Sequence, residues 1–216
     1  MSLELRCPLC DGADHRGYCR DRRRDYRRCQ SCGLVFVPPR FYLDTGAERA
    51  EYDRHDNRVD DPAYRRFLGR LADPLLVRLP PGSRGLDFGC GPGPALAAML
   101  EEAGHRMWCY DVFYCPDPAP LALDYDFICA TEVVEHLHRP GEELGRLWQR
   151  LRPGGMLGVM TKLVRDREAF AGWHYKNDPT HVCFFSAATW RWWARRQHAG
   201  LTLIGADVIL LHKAGG

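Results

Sequence analysis

Arg84-Gly85-Leu86-Asp87-Phe88-Gly89-Cys90-Gly91-Pro92-Gly93 is the stretch that decides how this chain folds. Gly85 to Phe88 is a short apolar run suited to a buried strand, and glycine then fills three of the next five positions. A helix is expected from about Ala95, through Leu96, Met99 and Leu100, to Gly104. A glycine-rich turn between a parallel strand and a helix lets the backbone approach a ligand with no Cβ in the way. A second strand, Arg106 to Tyr110, ends in Asp111. An acid at that point can hold the hydroxyls of a bound ribose.

A dinucleotide-binding fold is the rival reading. Against it, the turn is GCGPG with Asp87 inside the strand, not the spaced G-x-G-x-x-G, and 216 residues leave little for a separate substrate domain. DFGCGPG resembles the first motif of the class I S-adenosylmethionine-dependent methyltransferases. The resemblance runs from about Gly85 to the C-terminus. It implies an α/β, Rossmann-like sheet and S-adenosyl-L-methionine as cofactor. It also implies that Asp87, Gly89, Cys90, Gly91 and Gly93 flank the methionine end, that Asp111 takes the ribose, and that Thr131 and Glu132 complete the cofactor wall.

The remaining body fits that frame. Tyr125 to Ala130 reads as a strand running into Thr131-Glu132, and Glu142 to Leu151 as a helix. Arg152-Pro153-Gly154-Gly155 reads as a turn before the strand Met156–Met160; similar LRPGG turns precede the fifth strand in many members of the family. Ala187 to Ala199 is expected to be an amphipathic helix burying Trp190, Trp193 and Ala194, with Leu201–Ile204 and Asp207–Leu211 closing the sheet as an antiparallel hairpin. Only the short stretch Val112 to Asp124 separates the second strand from the Tyr125 strand. The family places a helix and its third strand there, so that edge strand is expected to be missing.

Toward the N-terminus, Cys7-Pro-Leu-Cys10 is followed, across an arginine-rich stretch, by Cys29-Gln-Ser-Cys32-Gly33. Two C-x-x-C pairs so placed have the spacing of a structural zinc site, whose four thiolates fill the tetrahedron and leave no reactive position. Paired disulfides are the alternative, disfavoured by six further cysteines scattered through the chain. A zinc ribbon over residues 1–38, with a core of its own, is therefore expected. Residues 39–82 form a helical linker or lid, and 83–216 the methyltransferase domain. In the linker, Tyr64, Phe67, Leu68, Leu71, Leu75 and Leu79 recur at helical spacing between Pro62 and Pro80. An earlier short helix is expected over about Glu48 to Asp56; Tyr52 and His55 on it either face a substrate, as part of a lid, or belong to an exposed helix surface, the favoured reading.

Net charge is +2, but residues 1–40 hold nine arginines against five acids. Arginine makes up 27 of the 30 basic residues, so a solvated face accounts for that excess better than nucleic-acid binding does. With 45% hydrophobic residues, no apolar run long enough for a membrane helix and no basic-then-apolar leader, a cytoplasmic protein away from membranes is expected.

Methyl transfer from a sulfonium needs the acceptor placed in line and, for oxygen, its proton removed. Candidates gather in Glu132-Val133-Val134-Glu135-His136 and in the loop Trp173–His181. If E-x-x-E-H opens a helix, its acids and histidine share a face. The pattern resembles two branches of the superfamily, the ubiquinone-biosynthesis O-methyltransferases and the small-RNA 3′-terminal 2′-O-methyltransferases. The latter resemblance implies a magnesium or manganese ion held by Glu132, Glu135, His136 and His181. The alternative is that Glu135 and His136 only order the acceptor loop, with His174 as general base. Together these readings give an O-methyltransferase acting on a small molecule. RNA-end methylation and a non-catalytic cofactor-binding module are the alternatives.

Overall fold

The computed structural model describes residues 4–54 and 57–215. Its first elements are β1 (His15–Arg20) and β2 (Asp25–Cys29), an antiparallel hairpin bracketed by the two cysteine pairs, and the short β3 (Val35–Phe36), which pairs with β2. Then come α1 (Thr45–Tyr52) and α2 (Pro62–Leu76). Asp44 and Asp61 cap these two helices through their side chains, and Pro62 supplies the preset φ of a first turn. The earlier helix thus starts and stops sooner than its sequence suggested; His55 and Asp56 lie outside the described residues.

The body alternates strand and helix: β4 (Arg84–Phe88), α3 (Ala95–Glu102), β5 (Arg106–Tyr110), β6 (Tyr125–Thr131), α4 (Pro140–Arg150), β7 (Leu151–Met160), α5 (Arg167–Ala171), β8 (Cys183–Phe184), α6 (Ala187–Arg196), β9 (Gly200–Ile204) and β10 (Val208–His212). Six strands form the main sheet in the order β5-β4-β6-β7-β10-β9, parallel from β5 to β7 and then closed by the antiparallel β10-β9 hairpin. This is the doubly wound sheet that the glycine motif implied. As the short connection required, β5 is the edge: among the described residues no strand follows it before β6. One boundary differs. Residues 152–155 are not a free turn but an irregularity within β7: Leu151 already pairs with Tyr125, and the regular ladder resumes at Phe127–Met156. Gly154, at φ +77°, takes up the slack.

Apolar periodicity in α2 is realised as packing. Leu68, Leu71 and Leu75 are buried with Leu96 of α3 and with Phe127 and Met160 of the sheet. On the other face, the expectation of a separate ribbon core fails. Tyr26, Phe36 and Val37 of the ribbon share one continuous buried cluster with Phe170, Phe184, Trp190 and Ile209 of the body. β3 also pairs antiparallel with β8, Val35 opposite Phe184 and Phe36 opposite Cys183. So short a segment buries too little apolar surface alone, and the ribbon completes its core on the body. Among the described residues, no helix is long and apolar enough to cross a membrane.

Candidate functional site

Parallel strands β4, β5 and β6 end on one rim, and the turns leaving them line a cleft of about 760 Å³. Gly89, at φ +73°, donates its amide to the Tyr110 carbonyl at 2.7 Å, and a Cβ there would overlap Val133. A Cβ at Gly93 would strike the carbonyl oxygen of Asn57, so the linker closes directly over the turn. Asp111 faces the same turn. Its Oδ2 accepts the Gly91 amide at 3.0 Å, and its Oδ1 accepts the amides of Phe113 and Tyr114 at 2.8 and 3.1 Å. Cys90, Thr131, Glu132 and Tyr52 also line the cleft. Asp87 lies beneath it, wholly inside β4; burial raises its carboxyl to about 7, and Oδ1 has no hydrogen-bond partner.

Beyond the glycine turn, the E-x-x-E-H segment is a turn, not the start of a helix; α4 begins only at Pro140. Glu132 sits at φ +52° while its amide bonds the Met160 carbonyl at 2.8 Å. The Tyr175 hydroxyl donates to Glu135 and also lies 3.4 Å from Glu132. Burial raises Glu132 to about 7; burial, with the Glu132 charge adding to it, raises Glu135 to about 8.

Three of the four residues expected around a second ion do converge. Ligand atoms of Glu135, His136 and His181 lie within 4.8 Å of one another, while Glu132 falls outside the group. The Nδ1 of His181 is 2.7 Å from the Tyr175 carbonyl, which can only accept, so Nδ1 carries the proton and Nε2 keeps its lone pair. Burial lowers the His181 pKa further, which holds the ring neutral. A buried Glu135 oxygen without a hydrogen-bond partner, a neutral imidazole with a fixed tautomer and a second imidazole make a donor set fit for a divalent ion. With two nitrogens and one carboxylate it is less oxygen-rich than the sequence suggested. His174 stands apart: it is exposed at the cleft mouth, and its Nε2 lies 3.3 Å from Lys162 Nζ.

Cys7, Cys10, Cys29 and Cys32 form the other cluster. Sγ separations of 3.5 Å (Cys7–Cys32) and 3.4 Å (Cys10–Cys29) are far too long for disulfides. They approach the edge of roughly 3.8 Å that zinc–sulfur bonds of about 2.3 Å give a tetrahedron. The thiols therefore fit zinc.

Sequence reasoning missed Lys162, which lines the cleft beside His174, and Asp21 and Arg24, which reach the loop 176–181 from the ribbon. None has a spacing signature, because each matters only through a contact distant in sequence.

Residues 54–205, more than half of the chain, match the family described as methyltransferase domain. The chain is 28% identical over 164 residues to the biotin biosynthesis bifunctional protein BioCD of Bordetella avium, covering 64% of this chain and 33% of that protein. It thus spans about a third of that relative's length. A chain of the Haloferax volcanii complex between the Trm112 methyltransferase activator and a methyltransferase superposes with a TM-score of 0.53 at 16% identity, covering 80% of this chain and 95% of that one. The 1,6-didemethyltoxoflavin-N1-methyltransferase of Burkholderia thailandensis superposes with a TM-score of 0.51 at 18% identity, covering 92% of this chain and 99% of that one. At these identities the two structures speak for the fold.

Proposed function

The chain belongs to the class I S-adenosylmethionine-dependent methyltransferases, and from that membership we propose that it methylates an oxygen of a small molecule. The supporting observation is that one cleft is lined by the glycine turn, Asp111, His136 and His181, with Glu135 buried against the two histidines.

In this reading Asp111 holds the cofactor ribose. Gly89, Cys90, Gly91 and Gly93, with Asp87 below them, flank its methionine end, and Thr131 and Glu132 border the sulfonium. Methyl transfer forms the carbon–oxygen bond as the carbon–sulfur bond breaks, leaving a neutral thioether, so the acceptor proton must leave. His181, neutral and with Nε2 unprotonated, suits that proton better than His174, whose Nε2 faces Lys162. Glu135 and His136 orient the acceptor beside it. A divalent ion held by Glu135, His136 and His181 would occupy that Nε2 and replace His181 as the base, lowering the acceptor pKa so that its proton leaves to solvent. The mixed nitrogen and oxygen set favours manganese over magnesium. Zinc on Cys7, Cys10, Cys29 and Cys32 would be structural.

Methylation of RNA ends is the competing reading, and the ribbon gives it little support. Arg24 is buried, Arg27 bonds His15, and Arg20 and Arg40 both pair with Asp25. The deciding experiment incubates the protein with isotopically labelled S-adenosylmethionine and either a metabolite extract or an RNA pool. Labelled small molecules are the expected product. Labelled RNA, lost steeply with added salt, would overturn the proposal.

A further inference from the structure

At the tip of the β1-β2 hairpin, Asp21 and Arg24 face away from the cysteine cluster. Asp21 Oδ1 accepts the amides of Arg23 and Arg24 at 2.8 and 2.9 Å, fixing a tight turn. Arg24, 7% exposed, pairs with no acid among the described residues. It donates to four carbonyl oxygens of the acceptor loop: Lys176, Asp178 at 2.8 Å, Pro179 at 3.2 Å and His181 at 2.8 Å. A planar fork with five N–H groups can serve several acceptors at once; an ammonium on a flexible stem cannot match that geometry.

The loop answers in kind. Lys176, 4% exposed, places Nζ 2.6 Å from Asp21 Oδ2, and the Tyr26 hydroxyl reaches both Asp21 and the Lys176 carbonyl. Just past His181, the Val182 carbonyl accepts the Val37 amide at 2.9 Å. The amides of Val182 and Cys183 both donate to the Glu135 carbonyl, at 2.8 and 2.9 Å. The ribbon therefore grips the segment 176–183 from two sides, and that segment is tied to the turn carrying Glu135 and His136.

We propose that Arg24, assisted by Asp21, is a positioning residue of the methyl-acceptor site, and that the ribbon is the fixed wall against which His181 is held opposite Glu135 and His136. The inference rests on the reading that these three residues form the acceptor centre. A hydrophobic side chain could not take the place of the guanidinium, because it would leave the four loop carbonyls without this donor and free the segment that carries His181.

The test compares Arg24→Ala with Arg23→Ala. The exposed Arg23 side chain reaches the Asn177 carbonyl, at 3.4 Å, and no other group among the described residues. In full-length protein labelled with 15N-histidine, the His181 ring, assigned with His181→Gln, should show a single Nδ1–H tautomer in the wild type and in Arg23→Ala. Arg24→Ala should show mixed tautomers and a loss of Mn2+ affinity of at least tenfold, with S-adenosylhomocysteine affinity within twofold. If Arg24→Ala does not fold, Arg24→Lys takes its place, with the same changes at smaller amplitude. An unchanged His181 tautomer in the Arg24 variant overturns the inference. Failure of the wild type to bind Mn2+ overturns only the metal reading, because the tautomer still decides the role of Arg24.

Discussion

Asp111 Oδ2 accepts the backbone amide of Gly91 at 3.0 Å, joining the end of β5 to the glycine turn that follows β4. Phe113 and Tyr114 donate to the other oxygen, so the carboxylate is fixed before any ligand arrives. Asp111→Ala should weaken S-adenosylhomocysteine binding by about 1–3 kcal/mol, through lost charge-assisted bonds and a loosened turn. Calorimetry giving wild-type affinity would remove Asp111 from the cofactor site.

Zinc on the four cysteines should appear as one ion per chain by elemental analysis of protein purified without chelator. Because ribbon and body share a core, Cys29→Ser should not leave a normal body behind. It should lower the melting temperature of the whole chain in one transition, by about 4–8 °C for a loss of about 2 kcal/mol. Two separate transitions, with the upper one at the wild-type temperature, would contradict the shared core.

Glu135→Gln should reduce turnover at least 100-fold while S-adenosylmethionine affinity stays within twofold, since the cofactor turn lies on the other side of the reacting centre. Mn2+ should restore activity to EDTA-treated wild type, provided the ribbon zinc is retained. Full activity in EDTA with a verified acceptor would refute the ion and leave Glu135 an orienting role.

Asp87 supplies the pH prediction. Its carboxyl, raised to about 7 by burial, binds its proton more tightly in the folded chain than in the unfolded one. Stability from that difference is fully present below the ordinary carboxylate range and is lost as pH rises to about 7. The melting temperature of ligand-free protein should therefore fall between about pH 4 and 7, and Asp87→Asn, neutral throughout, should flatten that fall. A slope identical in the variant would show that other groups set it.

By itself the sequence determined the features that local physics controls. DFGCGPG dictated a strand, a close backbone turn and a helix because glycine adopts Gly89's φ of +73° without strain, and a Cβ at Gly89 or Gly93 would strike Val133 or Asn57. The stretch from Val112 to Asp124 could not hold both a helix and a strand, so β5 had to be an edge. The two C-x-x-C pairs set their own cluster by spacing. What tertiary structure alone decided are contacts between residues far apart in sequence. Glu132 left the expected ligand group because the end of β6 kinks to bond Met160. Arg24 read as one more solvated arginine, and it became a buried clamp on the loop that carries His181, near the other end of the chain. The reason lies in how each signal is stored. Periodicity, turn chemistry and ligand spacing act within a few residues, whereas burial of a polar group is settled only when distant surfaces close over it.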